Sequence, residues 1–385
     1  MKKILFISHD ASRTGAPIVL LHLLRWIKLN TDINFSILLK EGGELQEEFT
    51  AIAPVYFWKE NIEEYSITNK VVSKYYRRVL NKNLNQEKIL TAIEFGGFGV
   101  IYANTVASHE LAVFMKARLK IKLISHIHEL PYCINVFYEK QMRKEIVEEL
   151  DGVIAVSEIT RKYLKELYHI PAAKIELFYE SIPLHEEATL TKTEAEVRKK
   201  LGIESSFVVG GSGAMSWRKG IDLFIALSWT ITRKNPSANI AYMWVGAISK
   251  EVIEGYHYEC TRQGLKEQII FTGVKTMPQN YFQVMDIFVL PSREDPFPLV
   301  CLEAASLGKP IVCFESAGGI PEMLQGGGGF VVPYLDINKM ADTILELYEN
   351  RTLLAEKGKE VRELVKSYDV NIIAPAILKY VLQFN

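Results

Sequence analysis

The chain has 385 residues, 48% of them apolar and 24% charged, which excludes a disordered chain and exceeds what one core ordinarily holds. Two domains of ordinary size fit that length. A net charge of −1 excludes the overall basicity of a nucleic-acid binder, so no nucleic acid is expected as a partner.

Lys2 and Lys3 precede Ile4-Leu5-Phe6-Ile7, an apolar run too short for the heart of a signal peptide. A buried first strand over Ile4–Ser8 is expected instead. Further strands are predicted at Phe35–Leu39, Val100–Tyr102, Lys122–Ser125, Val153–Val156 and Ile175–Phe178, with helices such as Pro17–Leu29 and Ser108–Arg118 between them. The polar stretch 185–200 contains no strand-like run and reads as a linker. Strands resume at Phe207–Gly210, Ile240–Val245, Ile269–Phe271, Ile287–Leu290 and Ile311–Phe314, and a last helix is expected near Asn371–Gln383. Apolar runs alternating with helices give parallel sheets covered on both faces. The fold class is therefore α/β, with two doubly wound parallel-sheet domains facing across a cleft. Residues 1–184 and 201–368 form the domains, and 369–385 form a terminal helix. Such sheets bind ligands at the carboxyl ends of their strands.

Two strand ends in the first domain carry chemistry. After the first strand comes Ser8-His9-Asp10-Ala11-Ser12-Arg13-Thr14-Gly15-Ala16-Pro17, with Pro17 placed to begin a helix. It lacks the G-x-G-x-x-G spacing of a dinucleotide site, so no redox cofactor is expected. After the strand at Lys122 comes Ser125-His126-Ile127-His128-Glu129. His126 and His128 with His9 raise a metal reading, but no third fixed spacing supports it and no Asp-x-Asp occurs. Four scattered cysteines offer no zinc spacing and suit a reduced, cytoplasmic protein. Between Ser66 and Leu90, Lys70, Lys74, Arg77, Arg78, Lys82 and Lys88 face one acid, Glu87, a net charge of +5. With Val72, Tyr75, Tyr76 and Val79 among them, this stretch reads either as a solvated helix or as a surface for an anionic membrane.

The second domain is richer. A strand ends at Leu290, a proline-rich turn follows, and a helix begins near Leu299 behind Pro298, with Gly308 and Pro310 as its stop. The amides of Leu299 and Val300 make an anion site backed by the helix dipole, and Glu303 lies one turn on. Gly210-Gly211-Ser212-Gly213 follows another strand, and Arg218-Lys219-Gly220 opens its helix.

Asp295, seven residues and Glu303 resemble the E-x7-E element of glycosyltransferase family 4, with Asp for the first Glu and Pro298 for the usual glycine. The glycine turn with Lys219-Gly220 resembles that family's diphosphate loop, except that Ala214 stands where its arginine is usual; Arg218 offers a guanidinium from another position. Phe271-Thr272-Gly273-Val274 resembles the loop against the nucleobase. Gly15-Ala16 resembles the small pair that lets backbone approach the donor, and His128-Glu129 resembles its His-Asp element. The resemblance runs from the first strand to about residue 325.

It implies a retaining GT-B glycosyltransferase, independent of metal and cofactor, that moves a sugar from a nucleotide diphosphate to a glycan or lipid-linked acceptor. The process implied is surface polysaccharide synthesis. His128 and Asp295 would meet the transferred sugar, and Glu303 the ribose. Gly15, Ala16, Arg218, Lys219, Val274, Pro298, Leu299 and Val300 would hold the rest of the donor. The last helix would pack back on the first domain, and the protein would be cytoplasmic or peripheral on the inner face of the membrane. A nucleotide-sugar epimerase and a non-catalytic donor-binding subunit are the rival readings.

Overall fold

The computed structural model describes residues 2–58, 83–184, 190–247 and 250–385. The basic stretch centred on Lys70–Lys82 lies outside them. Two compact units divide the chain: Met1–Val156 with Thr160–Tyr179 and Val370–Asn385, and Ser157–Ile159 with Glu180–Asp369.

The first unit holds one sheet built from β1 (Lys3–Ser8), β2 (Phe35–Leu39), β3 (Val55–Phe57), β4 (Phe98–Asn104), β5 (Lys122–Ile127), β6 (Gly152–Ala155) and β7 (Ile175–Leu177). All neighbours are parallel, in the order β3-β2-β1-β4-β5-β6-β7. Central strands such as β2 and β4 are buried at every residue, the mark of a sheet covered on both faces. The sequence reading missed β3, a half-buried edge strand of three residues whose pattern is too short to register.

On one face, the helix Gly15–Asn30 buries Leu20, Leu21 and Leu24 against Phe6 and Ile37. The same cluster takes Val370, Ala374, Ile377 and Val381 from the terminal helix Val370–Leu382, which so belongs to the first unit. Each aliphatic side chain buried this way contributes about 2 kcal/mol.

The second unit repeats the plan with β8 (Phe207–Ser212), β9 (Ile240–Val245), β10 (Ile269–Phe271), β11 (Ile287–Leu290), β12 (Ile311–Phe314) and β13 (Gly329–Val332), all parallel, in the order β10-β9-β8-β11-β12-β13. In each sheet the order reverses once, between β1 and β4 and between β8 and β11. The strand ends at such a reversal leave a crevice that their crossover helices do not fill.

Part of the predicted linker is structured. The amides of Thr191 and Lys192 both donate to Asn280 Oδ1, at 3.0 and 3.1 Å, and Thr193 forms a capping box with Glu196 at the start of the helix Glu194–Leu201. The run Gly326–Gly329 is pressed against the helix Arg351–Leu364. Gly328 sits at φ 80°, its amide donates to Glu360, and a Cβ there would lie 2.6 Å from Val361 Cα.

Candidate active site

In the second unit the loops after β8, β11 and β12 meet around Asp295. Gly220, at φ 71°, starts the helix Ile221–Lys234 so close to the loop after β11 that a Cβ would strike the Pro291 carbonyl. The Asp295 amide donates to the Ala317 carbonyl, and Gly318 pairs with Asp295 as an isolated parallel bridge. Asp295 is held from both sides and is only 4% exposed.

Both carboxylate oxygens are engaged. Oδ2 takes Lys219 Nζ at 2.5 Å and Ser292 Oγ at 3.2 Å, and Oδ1 takes Arg218 Nη1 at 3.2 Å. Arg218 Nη1 also donates to the Glu294 carbonyl at 2.8 Å. Burial by itself would raise the pKa of Asp295, but the two cations outweigh it and hold the carboxyl below the usual range. In this state Asp295 orients Lys219 and Arg218.

The helix Leu299–Ser306 follows Pro298, whose ring suits the position before a helix, and its first amides have no preceding turn to bond. Glu303 lies on its inner side. Its Oε2 is buried without a hydrogen-bond partner among the described residues, and burial raises its pKa to about 7. An acceptor buried and left open is costly unless a ligand supplies the donor. Cys301 lies among these groups: burial pushes its thiol far up, and the charges of Asp295, Lys219 and Glu303 all reach it. Beyond β10, Gly273 at φ 71° turns the chain and leaves Val274 72% exposed, an apolar face open to a flat ring.

In the first unit the ends of β1, β4 and β5 meet. Asp10 Oδ1 accepts from the amide of Ser12 at 3.0 Å and its hydroxyl at 2.9 Å, which shapes the turn before Gly15 and Ala16. Beyond its own helix and chain neighbours, no atom of the described residues lies within 4 Å of where a Cβ on Gly15 would stand. His126 is buried, with Nδ1 2.5 Å from the Tyr102 hydroxyl; burial keeps its pKa well below the ordinary value and the ring neutral. His128 is half-buried at the end of β5, its ring 4.0 Å from that of His126, and Nε2 meets Asn104 Oδ1 at 2.9 Å. Glu129 is buried and turns back, accepting from the amides of His128 at 2.9 Å and Val106 at 3.4 Å. Thr105 holds φ 70°, strained for a residue with a side chain, while its amide donates to the His126 carbonyl.

The structure thus brings Arg218, Lys219 and Asp295 into direct contact, sets Glu303 within electrostatic reach of the same Cys301 thiol as Lys219 and Asp295, and sets Pro298, Leu299 and Val300 at the helix start. It sets Val274 at the end of β10, and Gly15, Ala16 and His128 at neighbouring strand ends of the first unit. Sequence reasoning missed Asn104, Tyr102 and Ser292. For Asn104 the available signal was a polar residue closing an apolar strand.

Two family models match the chain: Glycosyltransferase Family 4 over residues 43–186 and Glycosyl transferases group 1 over residues 206–350. Together they span well over half of it. The chain belongs to the GT4-type glycosyltransferases of GT-B fold.

Among curated relatives it is 28% identical over 221 residues to the lipopolysaccharide core biosynthesis mannosyltransferase LpsB of Rhizobium meliloti, a match spanning 55% of this chain and 59% of that one. It is 23% identical over 283 residues to the alpha-galactosylglucosyldiacylglycerol synthase of Streptococcus pneumoniae, spanning 64% and 73%. The match thus spans about three fifths to three quarters of those relatives' lengths. In fold this glycosyltransferase is similar to Anabaena HepE, solved in complex with UDP and glucose, at a TM-score of 0.82, 19% identity and full coverage of both chains. Sucrose-phosphate synthase from Thermosynechococcus elongatus is similar at a TM-score of 0.77 and 19% identity, covering 100% of this chain and 99% of that one.

Proposed function

We propose that the protein is a retaining, metal-independent glycosyltransferase that moves a hexose from a nucleotide diphosphate sugar to a glycan or lipid-linked acceptor in surface polysaccharide synthesis. The observation that carries this reading is the pair Lys219 and Arg218, oriented by Asp295 in the loop that leads into the helix carrying Glu303 and its open oxygen. Two cations and free amides suit a diphosphate, and a carboxylate one turn into the helix suits ribose hydroxyls. The relatives named for core and glycolipid synthesis, and a structural neighbour holding UDP and glucose, support the substrate classes.

In the reaction the acceptor hydroxyl oxygen bonds to the anomeric carbon as the bond from that carbon to the diphosphate oxygen breaks. The electron pair leaves with the diphosphate, and the hydroxyl proton passes to a phosphate oxygen on the same face. Negative charge grows on the leaving group, where Lys219, Arg218 and the helix amides act. His128 and Asp295 border the transferred sugar, Asp295 chiefly through the cations it holds. Gly15 and Ala16 let backbone approach the donor, and Val274 covers the base.

Product analysis tests the reading. With the accepted nucleotide sugar and acceptor, NMR should show the donor's anomeric configuration retained, at an undiminished rate in excess chelator. An inverted product, or loss of activity on chelation, overturns it; an epimerised donor formed without acceptor would favour the epimerase reading.

A further inference from the structure

The turn holding Gly15 and Ala16, the end of β4 and the end of β5 are joined by one side chain. Asn104 is fully buried, Nδ2 donating to the Ala16 carbonyl at 3.0 Å and Oδ1 lying 2.9 Å from His128 Nε2. A carbonyl oxygen only accepts, so the contact to Ala16 commits the amide nitrogen there and fixes which end of the amide faces His128. The end that faces it is an acceptor, so His128 Nε2 must carry the hydrogen. The backbone at this point is built for the contact: Thr105, next in the chain, takes φ 70°, and its amide donates to His126. Asn104 and His126 are direct neighbours across the β4–β5 pairing.

We infer that Asn104 is a positioning residue, which holds His128 in the Nε2–H tautomer and at a fixed ring angle relative to the Gly15-Ala16 turn. The inference rests on the reading of His128 as a sugar-facing group only for its catalytic consequence; the tautomer follows from the hydrogen bonds alone. A histidine free to flip would present either nitrogen to a ligand, and half of its orientations would be unproductive. An asparagine orients the ring without adding a charge beside it, whereas a carboxylate at the same place would favour the imidazolium. The titratable groups around His128 include His9, His126, Glu129 and Glu180, and they are common to every variant compared below.

The test is histidine side-chain NMR on the intact protein labelled with 15N at histidine, the His128 signals being assigned with His128→Gln. The neutral wild type should show His128 protonated on Nε2. Asn104→Leu should mix the two tautomers, and Asn104→Asp should keep Nε2–H while raising the His128 titration midpoint by about one unit or more. A wild-type proton on Nδ1, or an unchanged midpoint in a folded Asn104→Asp, overturns the inference even where Asn104→Leu fails to fold.

UDP release from UDP-glucose supplies the second readout. The acid limb of the Asn104→Asp rate profile should move up with the NMR midpoint, while KM for the donor changes less than threefold. Asn104→Leu should be as slow as His128→Gln, and the double variant no slower. If the tautomers behave as stated and turnover ignores both substitutions, Asn104 keeps its positioning role, and the sugar-facing role of His128 is the part that fails.

Discussion

Glu303 is where a single residue is read most directly, because Oε2 is buried, open and attached to a carboxyl with pKa about 7. Hydrogen bonds to a charged group contribute about 1.5–3 kcal/mol, so Glu303→Ala should weaken UDP-glucose binding at least about tenfold by calorimetry. Ribose hydroxyls donate best to the ionised carboxylate. Affinity should therefore fall as pH drops through about 7, and Glu303→Gln should flatten that dependence. UDP-glucose suits the titration because its diphosphate is esterified at both ends. The stability effect has the opposite slope: a folded-state pKa raised above the ordinary value adds stability at low pH that is lost as pH rises through about 7.

Lys219 acts on charge that grows during the reaction. Lys219→Ala should lower kcat more than it raises KM for the donor, and an equal effect on both would contradict that role.

At the scale of elements, the site depends on how closely the loops after β11 and β12 approach. A Cβ on Gly318 would stand 1.6 Å from the Asp295 carbonyl oxygen, so Gly318→Ala must push the two loops apart. It should cost about 1–3 kcal/mol in denaturant unfolding and slow turnover as well, because Asp295 and the cations it holds move with the loop. Gly15→Ala makes the opposite prediction. None of the described residues occupies the space in front of Gly15, so stability should stay within about 0.5 kcal/mol while donor affinity falls. Unchanged donor binding in Gly15→Ala would remove that turn from the site.

For the whole molecule, no helix among the described residues is long and apolar enough to cross a membrane. In the basic stretch from Ser66 to Leu90 the five cations Lys70, Lys74, Arg77, Arg78 and Lys82 lie outside the described residues, and about 1 kcal/mol per cation near an anionic surface suffices for reversible attachment. Sedimentation with anionic vesicles at low salt should carry down the wild type and release it as salt rises. Equal recovery of a Lys70/Lys74/Arg77/Arg78→Ser variant would sink the idea.

Periodicity and punctuation in the sequence were enough for the two parallel sheets. A strand buried on both faces is a short, nearly unbroken apolar run such as Phe35–Leu39, and that signal is local. Pro298, Gly308 and Glu303 were legible for the same reason, because helix start, stop and face lie within ten residues of one another. Val55–Phe57 was not, since an edge strand of three half-buried residues has no period to detect. What only the tertiary structure decided are the pairings between distant strand ends. Lys219 meets Asp295 across 76 positions, and Asn104 joins Ala16 to His128 across 88 and 24. Parallel sheets bring such residues together through strand order, and strand order is set by how whole layers of helices pack on the sheet. The roles of Asp295 as an anchor for two cations and of Asn104 as the hold on His128 were therefore fixed by packing, at positions where the local sequence carries no trace of the partner.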